Sequence, residues 1–311
     1  MTRDFTKPLK GTNKNGKSTK APFGYFGAKQ RLAGQIVSNL PPHYAWVEGF
    51  CGSAALTLAK AAAPIEVIND LDGEVVNVFK QLRNNQEELC RQIALTPYAV
   101  EEFETCRNFD AQCEGIERAR RFLVRTMMTV NGTIDANHGF SFSQSYSRQN
   151  REARVNRWYN LPERLESVVE RLRNVRIERR DAIELMKMFI DRPATLVYLD
   201  PPYFTKRKHG YVIDANDKEF HENLLDICMR TKAMVMLSGY ENSLYKKHLT
   251  KRNGWFRSLI QTNTRNTSGT DYARTEVLWT NKNYKKALDN NRVPIRLSLT
   301  ERRNNKLNPP R

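Results

Sequence analysis

The stretch LVYLDPPYF, residues 196–204, ends an apolar run on an acid, two prolines and two aromatics. Asp200 offers a carboxylate, and two successive prolines fix their φ angles, so the carbonyls of Pro201 and Pro202 and the ring of Tyr203 are held with little freedom. Such a set can grip a planar group that carries an amine. The same residues also serve as an ordinary way to leave a strand, since prolines cannot continue a ladder. A polar group beyond the carboxyl end of a parallel strand lies where open α/β sheets bind ligands, so the elements around this stretch decide between the two.

A second set lies upstream. VEGFCGSAAL (47–56) reads as a strand, a glycine turn and a helix start, with Glu48 at the strand tip and Phe50 within the turn. Gly49 and Gly52 let the backbone pass close to a ligand. The turn is neither a dinucleotide G-x-G-x-x-G nor a P-loop. Roughly twenty residues on, IND places Asp70 at the end of a second strand, where an acid can bond ribose hydroxyls. PFGYFGAKQRL (22–32) adds an aromatic–Gly–Lys turn that contains Tyr25 and Gly27, and its Lys29 could hold a ligand carboxylate. An acid for a ribose, a lysine for a carboxylate and no phosphate cradle suit a nucleoside linked to an amino acid, the shape of S-adenosylmethionine.

The elements that must carry these residues alternate. Strand runs at 44–50 and 65–70 flank a helical run at 55–62, and a helix follows at 74–83. Later come NVRIERRDA (174–182), the helix IELMKMFI, the strand of TLVYLDPPYF, a helix at 219–231 and a strand at 233–240. This alternation predicts a parallel, doubly wound α/β sheet. WFRSLIQTN and TEVLWTN, with no helix between them, are expected to close it as an antiparallel hairpin.

Residues 86–173 break the rhythm with helical segments and a long polar run, as an inserted functional domain would. Arg148, Arg151, Arg154 and Arg157 are interleaved there with Phe140, Phe142, Tyr146, Trp158 and Tyr159, a mixture able to meet phosphates and bases. The domain division expected is 21–85 with 174–284 for the catalytic domain, 86–173 for the insertion, and basic tails at 1–20 and 285–311.

The 311-residue chain has a formal net charge of +17, a balance that fits a polyanionic partner. No apolar run is long enough for a membrane-spanning helix. The basic residues are not paired with an apolar helical stripe, which argues against a membrane surface. Five scattered cysteines without a C-x-x-C pair suggest free thiols in a reducing, intracellular compartment. No histidine spacing suggests a metal.

Taken in order, Y-F-G-A-K, V-E-G-F-C-G-S-A, I-N-D, D-P-P-Y and RTEVLWTN resemble the Dam-like adenine DNA methyltransferases over residues 21 to about 282. The cofactor turn precedes the insertion and D-P-P-Y follows it, which is similar to the alpha group of that family. The resemblance implies a Rossmann-like methyltransferase sheet with an inserted, mostly helical target-recognition domain, and a monomer acting on double-stranded DNA. It implies S-adenosyl-L-methionine contacts at Tyr25, Gly27, Lys29, Glu48, Phe50, Gly52, Asp70, Asp181 and Asp200. Asp70 would take the ribose hydroxyls, and Asp181 would lie near the cofactor adenine. Asp200 and the Pro201 carbonyl would accept from the target amine, Pro202 would fix the turn, and Tyr203 would stack on a base flipped out of the duplex. VNGTIDANHGFSFSQS resembles the family's stretch leading into a DNA-contacting hairpin, which adds Asn131 to the DNA-facing residues.

The chain departs from the family at Gly49, where proline is usual, and at Ala54, where glycine is usual. The Ala54 methyl is expected to stand where the backbone packs closest to the cofactor, and so to weaken cofactor binding. An RNA amino-methyltransferase and a non-catalytic DNA-binding protein on a decayed scaffold are the competing readings.

Overall fold

A computed structural model of the chain describes residues 19–293 apart from 26, 28, 109, 111, 131–138, 147–149, 205–217 and 266–270. Its strands are β1 (Ala45–Glu48), β2 (Ile65–Asn69), β3 (Val175–Glu178), β4 (Thr195–Leu199), β5 (Met234–Gly239), β6 (Trp255–Arg265) and β7 (Asp271–Asn281). They form one sheet in the order β3-β2-β1-β4-β5-β7-β6. The first five are parallel, while β7 runs antiparallel to β5 and to β6. The expected closing hairpin is therefore present.

Both faces of the sheet are covered, which is why its central strands read as continuous apolar runs. Val47, Val67, Val197, Leu199, Val235, Leu237, Val277 and Trp279 point into one layer. There they meet α9 (Ala182–Phe189), α10 (Lys218–Arg230) and α11 (Ser243–His248). Trp46, Leu196, Tyr198, Met234, Met236 and Leu278 point the other way. They meet α1 (Ala33–Val37), α2 (Ala55–Ala59) and α12 (Lys282–Asn290).

The chain leaves β1 toward β2 and β3, then returns to place β4 on the free side of β1. That reversal opens a crevice beyond the carboxyl ends of β1 and β4, where doubly wound sheets bind ligands. Glu48, the last residue of β1, pairs in register with Tyr198 of β4, so Asp200 follows two residues beyond this pairing.

The insertion holds α4 (Gln86–Leu95), α5 (Val100–Arg107), α6 (Gly115–Met128), α7 (Ala153–Tyr159) and α8 (Leu161–Leu172), all reached from α3 (Gly73–Asn84). Among the described residues it has no core of its own. Phe79 and Leu82 of α3, Leu89 and Ile93 of α4, Phe122 and Leu123 of α6 and Leu165 of α8 share one buried cluster with Ile68 and Val175 of the sheet. Ion pairs reinforce the join: Glu74 of α3 binds Arg118 and, at 2.7 Å, Arg125 of α6, and Arg171 of α8 reaches Glu66 of β2.

Residues 285–290, expected to begin a basic tail, belong instead to α12. Asn281 caps α12 by accepting from the Tyr284 N–H at 3.0 Å, and Tyr284 and Ala287 are buried against the sheet. With only these two residues inward, α12 has too little apolar content to stand out in a basic stretch. The helical run at 55–62 stops at Ala59, because Lys60 turns inward to pair with Glu66 at 2.6 Å.

Candidate active site

The tips of β1, β2, β3 and β4 deliver polar groups to the crevice. A cleft of about 870 Å³, counting its open mouth, is lined by Tyr25, Gly27, Lys29, Glu48, Phe50, Gly52, Asp70, Asp181 and Asp200 together. These are the nine positions at which the family resemblance implies cofactor contacts, and Pro202 joins them at the same wall. Tyr203 is buried beside it, its ring edge-on to Tyr240 with centroids 4.6 Å apart.

At the β4 end, Asp200 is held at both oxygens. The Lys29 ammonium donates to its Oδ2 at 2.6 Å and the Tyr203 hydroxyl to its Oδ1 at 3.2 Å. Lys29 also donates to the Tyr203 hydroxyl oxygen at 2.7 Å and to the Gly27 carbonyl at 3.1 Å, with Glu276 of β7 at 3.6 Å. Burial alone would lower the basicity of this ammonium, but Asp200, followed by Tyr198 and Glu276, outweighs it and holds the group well above the usual lysine range.

At the β1 end, the glycine turn wraps the crevice floor. Gly52 has φ +46°, and a methyl group there would meet the Tyr25 ring at 2.8 Å. The Gly52 N–H donates to Asp70 Oδ2 at 2.8 Å and the Asp72 N–H to Asp70 Oδ1 at 3.0 Å. Burial pushes Asp70 up to about 6, since its backbone bonds only partly offset the loss of water. Glu48 accepts from the Thr57 N–H at 3.0 Å and from the Thr57 hydroxyl, which itself accepts from Trp46 Nε1 at 2.7 Å. Burial raises Glu48 to about 7 against those bonds.

The two departures from the family pattern have local explanations. Ala54 does adopt the left-handed conformation, φ 54° and ψ 36°, that favours glycine. Its methyl is wholly buried in the apolar cluster and does not line the cleft, although its neighbours Ser53 and Ala55 do. Gly49 donates its N–H to the Tyr198 carbonyl at 2.9 Å, a ladder bond that proline has no proton to make.

Asp181 caps α9, accepting from the Ile183 N–H at 2.8 Å, and edges the cleft from β3's side. Three further lining residues carried no clear sequence signal. Asn69 bonds the Gly49 and Arg180 carbonyls, each at 3.0 Å, and so fastens three strand tips. Asp72 accepts from the Tyr25 hydroxyl at 3.1 Å while capping α3. Phe220 of α10 packs edge-on to Phe50 from the far wall. Asn69 and Asp72 flank the recognised Asp70, so reading its neighbours would have found them; Phe220 arrives from a distant helix.

The aromatics of the insertion divide into two groups. Phe140 packs on Tyr98 with centroids 5.0 Å apart, and Trp158 is buried with its Nε1 on the Thr96 carbonyl. Phe142 and Tyr146 are 74% and 81% exposed, and Tyr159 carries the Arg151 guanidinium 4.0 Å over its ring. Arg154 and Arg157 lie on α7, half-buried. Asn131 and Arg148 lie outside the described residues. Arg164 of α8, not singled out from the sequence, has its Nε buried with no hydrogen-bond partner among the described residues. Burial lowers Arg157, with Arg154 adding to it, and lowers Arg164 to about 10, with Arg157 adding to it. None of these three arginines pairs with a carboxylate among the described residues.

The chain is 28% identical over 187 residues to the Type II methyltransferase M1.LlaDCHI of Lactococcus lactis subsp. cremoris; this covers 57% of the chain and 63% of that relative's length. Two solved structures give weaker likenesses. A SAM-dependent methyltransferase from Agrobacterium tumefaciens aligns over 81% of this chain and 59% of its own, at 12% identity and a TM-score of 0.33. A precorrin 8W decarboxylase from Methanobacterium thermoautotrophicum aligns over 81% and 89%, at 10% identity and a TM-score of 0.34. The decisive match is to a family model that spans residues 25–267, and by it this chain belongs to the D12 class N6 adenine-specific DNA methyltransferases.

Proposed function

We propose that this protein transfers a methyl group from S-adenosylmethionine to the exocyclic amine of adenine in duplex DNA. The observation that carries the reading is that Asp200 and Pro202 share one cleft with Glu48, Gly52 and Asp70, so amine acceptor and cofactor groups face a common space. The residues fit the cofactor. Gly52 leaves the cradle against Tyr25 that a side chain would fill, and Ser53 Oγ is buried at the wall without a hydrogen-bond partner among the described residues. Bound there, S-adenosylmethionine supplies an electrophilic methyl group on a sulfonium.

The chain's own residues do the rest. Adenine's amine is a poor nucleophile because its lone pair is delocalised into the ring. Asp200 and the Pro201 carbonyl accept from it, turn its lone pair toward the methyl group and stabilise the positive charge it gains. Asp200 then receives the proton that the methylated amine sheds. The acceptors are fixed before the substrate arrives, so little reorganisation is needed during transfer.

The DNA itself would lie on the insertion. Half-buried arginines without carboxylate partners are costly unless an anion completes them, and Arg154, Arg157 and Arg164 suit phosphates. The exposed Phe142 and Tyr146 suit bases. The five cysteines are all free, which suits a reducing compartment. The test is transfer of labelled methyl groups to duplex DNA, single-stranded DNA and RNA, with the modified base identified. N6-methyladenine in duplex DNA is expected; modification confined to RNA would overturn the reading.

A further inference from the structure

We propose that Lys29 is a positioning residue for Asp200 and Tyr203, and that it does not anchor the cofactor's carboxylate. The proposal rests on the methyltransferase reading above. An ammonium has three N–H donors. Those of Lys29 meet three acceptors: Asp200 Oδ2 at 2.6 Å, the Tyr203 hydroxyl oxygen at 2.7 Å and the Gly27 carbonyl at 3.1 Å. The residue is only 5% exposed, so water supplies little competition for these bonds. To hold a carboxylate elsewhere in the cleft, Lys29 would have to abandon one of them, and the two shortest belong to the catalytic turn.

The turn that presents Lys29 is itself fastened. Gly27 adopts φ +75°, which aims its carbonyl back at the ammonium. Gln30 donates to the Phe23 carbonyl, and the Leu32 N–H closes on the Lys29 carbonyl, each at 3.0 Å. A rigid lysine therefore fixes one Asp200 oxygen while the Tyr203 hydroxyl fixes the other. Each oxygen keeps lone-pair capacity for a target amine, in a carboxylate plane that no longer rotates. The same ammonium offsets Asp200 and Glu276, which face it at 2.6 and 3.6 Å. Without it the two negative groups would stand together at the site where charge must develop in a controlled way.

The experiment separates the two ends of the cleft. Lys29→Met and Lys29→Arg are compared with wild type by calorimetric titration of S-adenosylmethionine and by single-turnover methylation of duplex DNA at saturating cofactor. The proposal expects Lys29→Met to bind the cofactor within about threefold of wild type, since no charge-assisted contact to it is lost. Its single-turnover rate should fall about a hundredfold, as for loss of a preorganising group, and Lys29→Arg should regain part of the rate. Retained cofactor binding also reports that the variant is folded. A tenfold or greater loss of cofactor affinity with the saturated rate preserved would make Lys29 the carboxylate anchor and overturn the proposal. An unchanged rate in Lys29→Met, or parallel loss of affinity and rate in both variants, would overturn it as well. If wild type transfers no methyl group to duplex adenine, the methyltransferase reading fails and this assignment falls with it; an active wild type confines any failure to Lys29.

Discussion

The main-chain N–H of Gly52 donates to Asp70 Oδ2 at 2.8 Å, and this bond straps the turn after β1 to the acid after β2. Asp70 therefore has two tasks, because a carboxylate oriented by the backbone of one strand's turn is also a wall of the cleft. Asp70→Ala should release the glycine turn and weaken S-adenosylmethionine binding at least tenfold, on the scale of a lost charge-assisted bond of about 1.5–3 kcal/mol. Asp70→Asn, whose amide oxygen can still accept from Gly52, should keep the turn and lose less. Calorimetry on the two variants checks the order.

Two residues in left-handed backbone make a matched pair for substitution. Gly52→Ala drives a methyl group into the Tyr25 ring at φ +46°, and should cost about 1–3 kcal/mol of stability together with cofactor affinity. Ala54→Gly relieves strain of about 1 kcal/mol and removes a buried methyl worth about the same. It should leave both stability and cofactor binding close to wild type. Denaturant midpoints and cofactor titrations measure both effects.

Glu48 and Asp70 make the unliganded fold sensitive to pH. Burial raises them, from 4.5 to about 7 and from 3.8 to about 6. The folded state thus favours their neutral forms. Their contribution is complete below their ordinary values and is lost as pH rises through about 6 to 7. For Glu48 the shift corresponds to roughly 3 kcal/mol. Glu48→Gln should therefore be more stable than wild type at pH 8, with the gap closing toward pH 5, while binding the cofactor less well. Chemical denaturation across that range gives the answer.

Arg157 and Arg164 should act on DNA and spare the cofactor. Replacing both by alanine should reduce the slope of log affinity against log salt by up to about 2, if each meets one phosphate. Because neither has a carboxylate partner among the described residues, fold stability should not fall through a lost ion pair. Fluorescence titrations over a range of salt concentrations test this; an unaltered slope would move the phosphate contacts elsewhere.

At the catalytic turn, Asp200→Ala should lower single-turnover methylation about a hundredfold to a thousandfold, with Asp200→Asn milder. D-P-P-Y alone suggests that Tyr203→Phe is nearly silent, since the ring face would do the holding. The structure changes that expectation, for the hydroxyl accepts from Lys29 and donates to Asp200. Tyr203→Phe should lose about tenfold in rate, the worth of one ordinary hydrogen bond. Rapid-quench measurements on the variants distinguish the two expectations.

The parallel strands were legible because burial on both faces writes them as apolar runs, and the acids were legible because each interrupts such a run at its end. Asp200, Glu48 and Asp70 share that pattern. What escaped was contact between distant segments: Lys29 and Asp200 are 171 positions apart, and no local pattern tells a lysine which carboxylate it will face. The helix Lys282–Asn290 escaped because two inward residues are a weak signal. The insertion stood out by its composition, yet its sharing of Phe79, Phe122 and Leu165 in one cluster with the sheet is a matter of packing that periodicity does not report.

That shared cluster bears on how a new recognition specificity could be acquired. An insertion with a self-sufficient interior can be exchanged between relatives as a cassette, with cuts at its two ends. Here a cut near residues 85 and 173 would divide a single interior, leaving α3 and the Ile68 and Val175 edge of the sheet without matching partners. Transplants should therefore succeed only when α3 travels with the graft. On the DNA-facing role proposed for the insertion, drift of target preference would have an easier course through exposed positions such as Phe142 and Tyr146, where side chains can change without disturbing the interior beneath them.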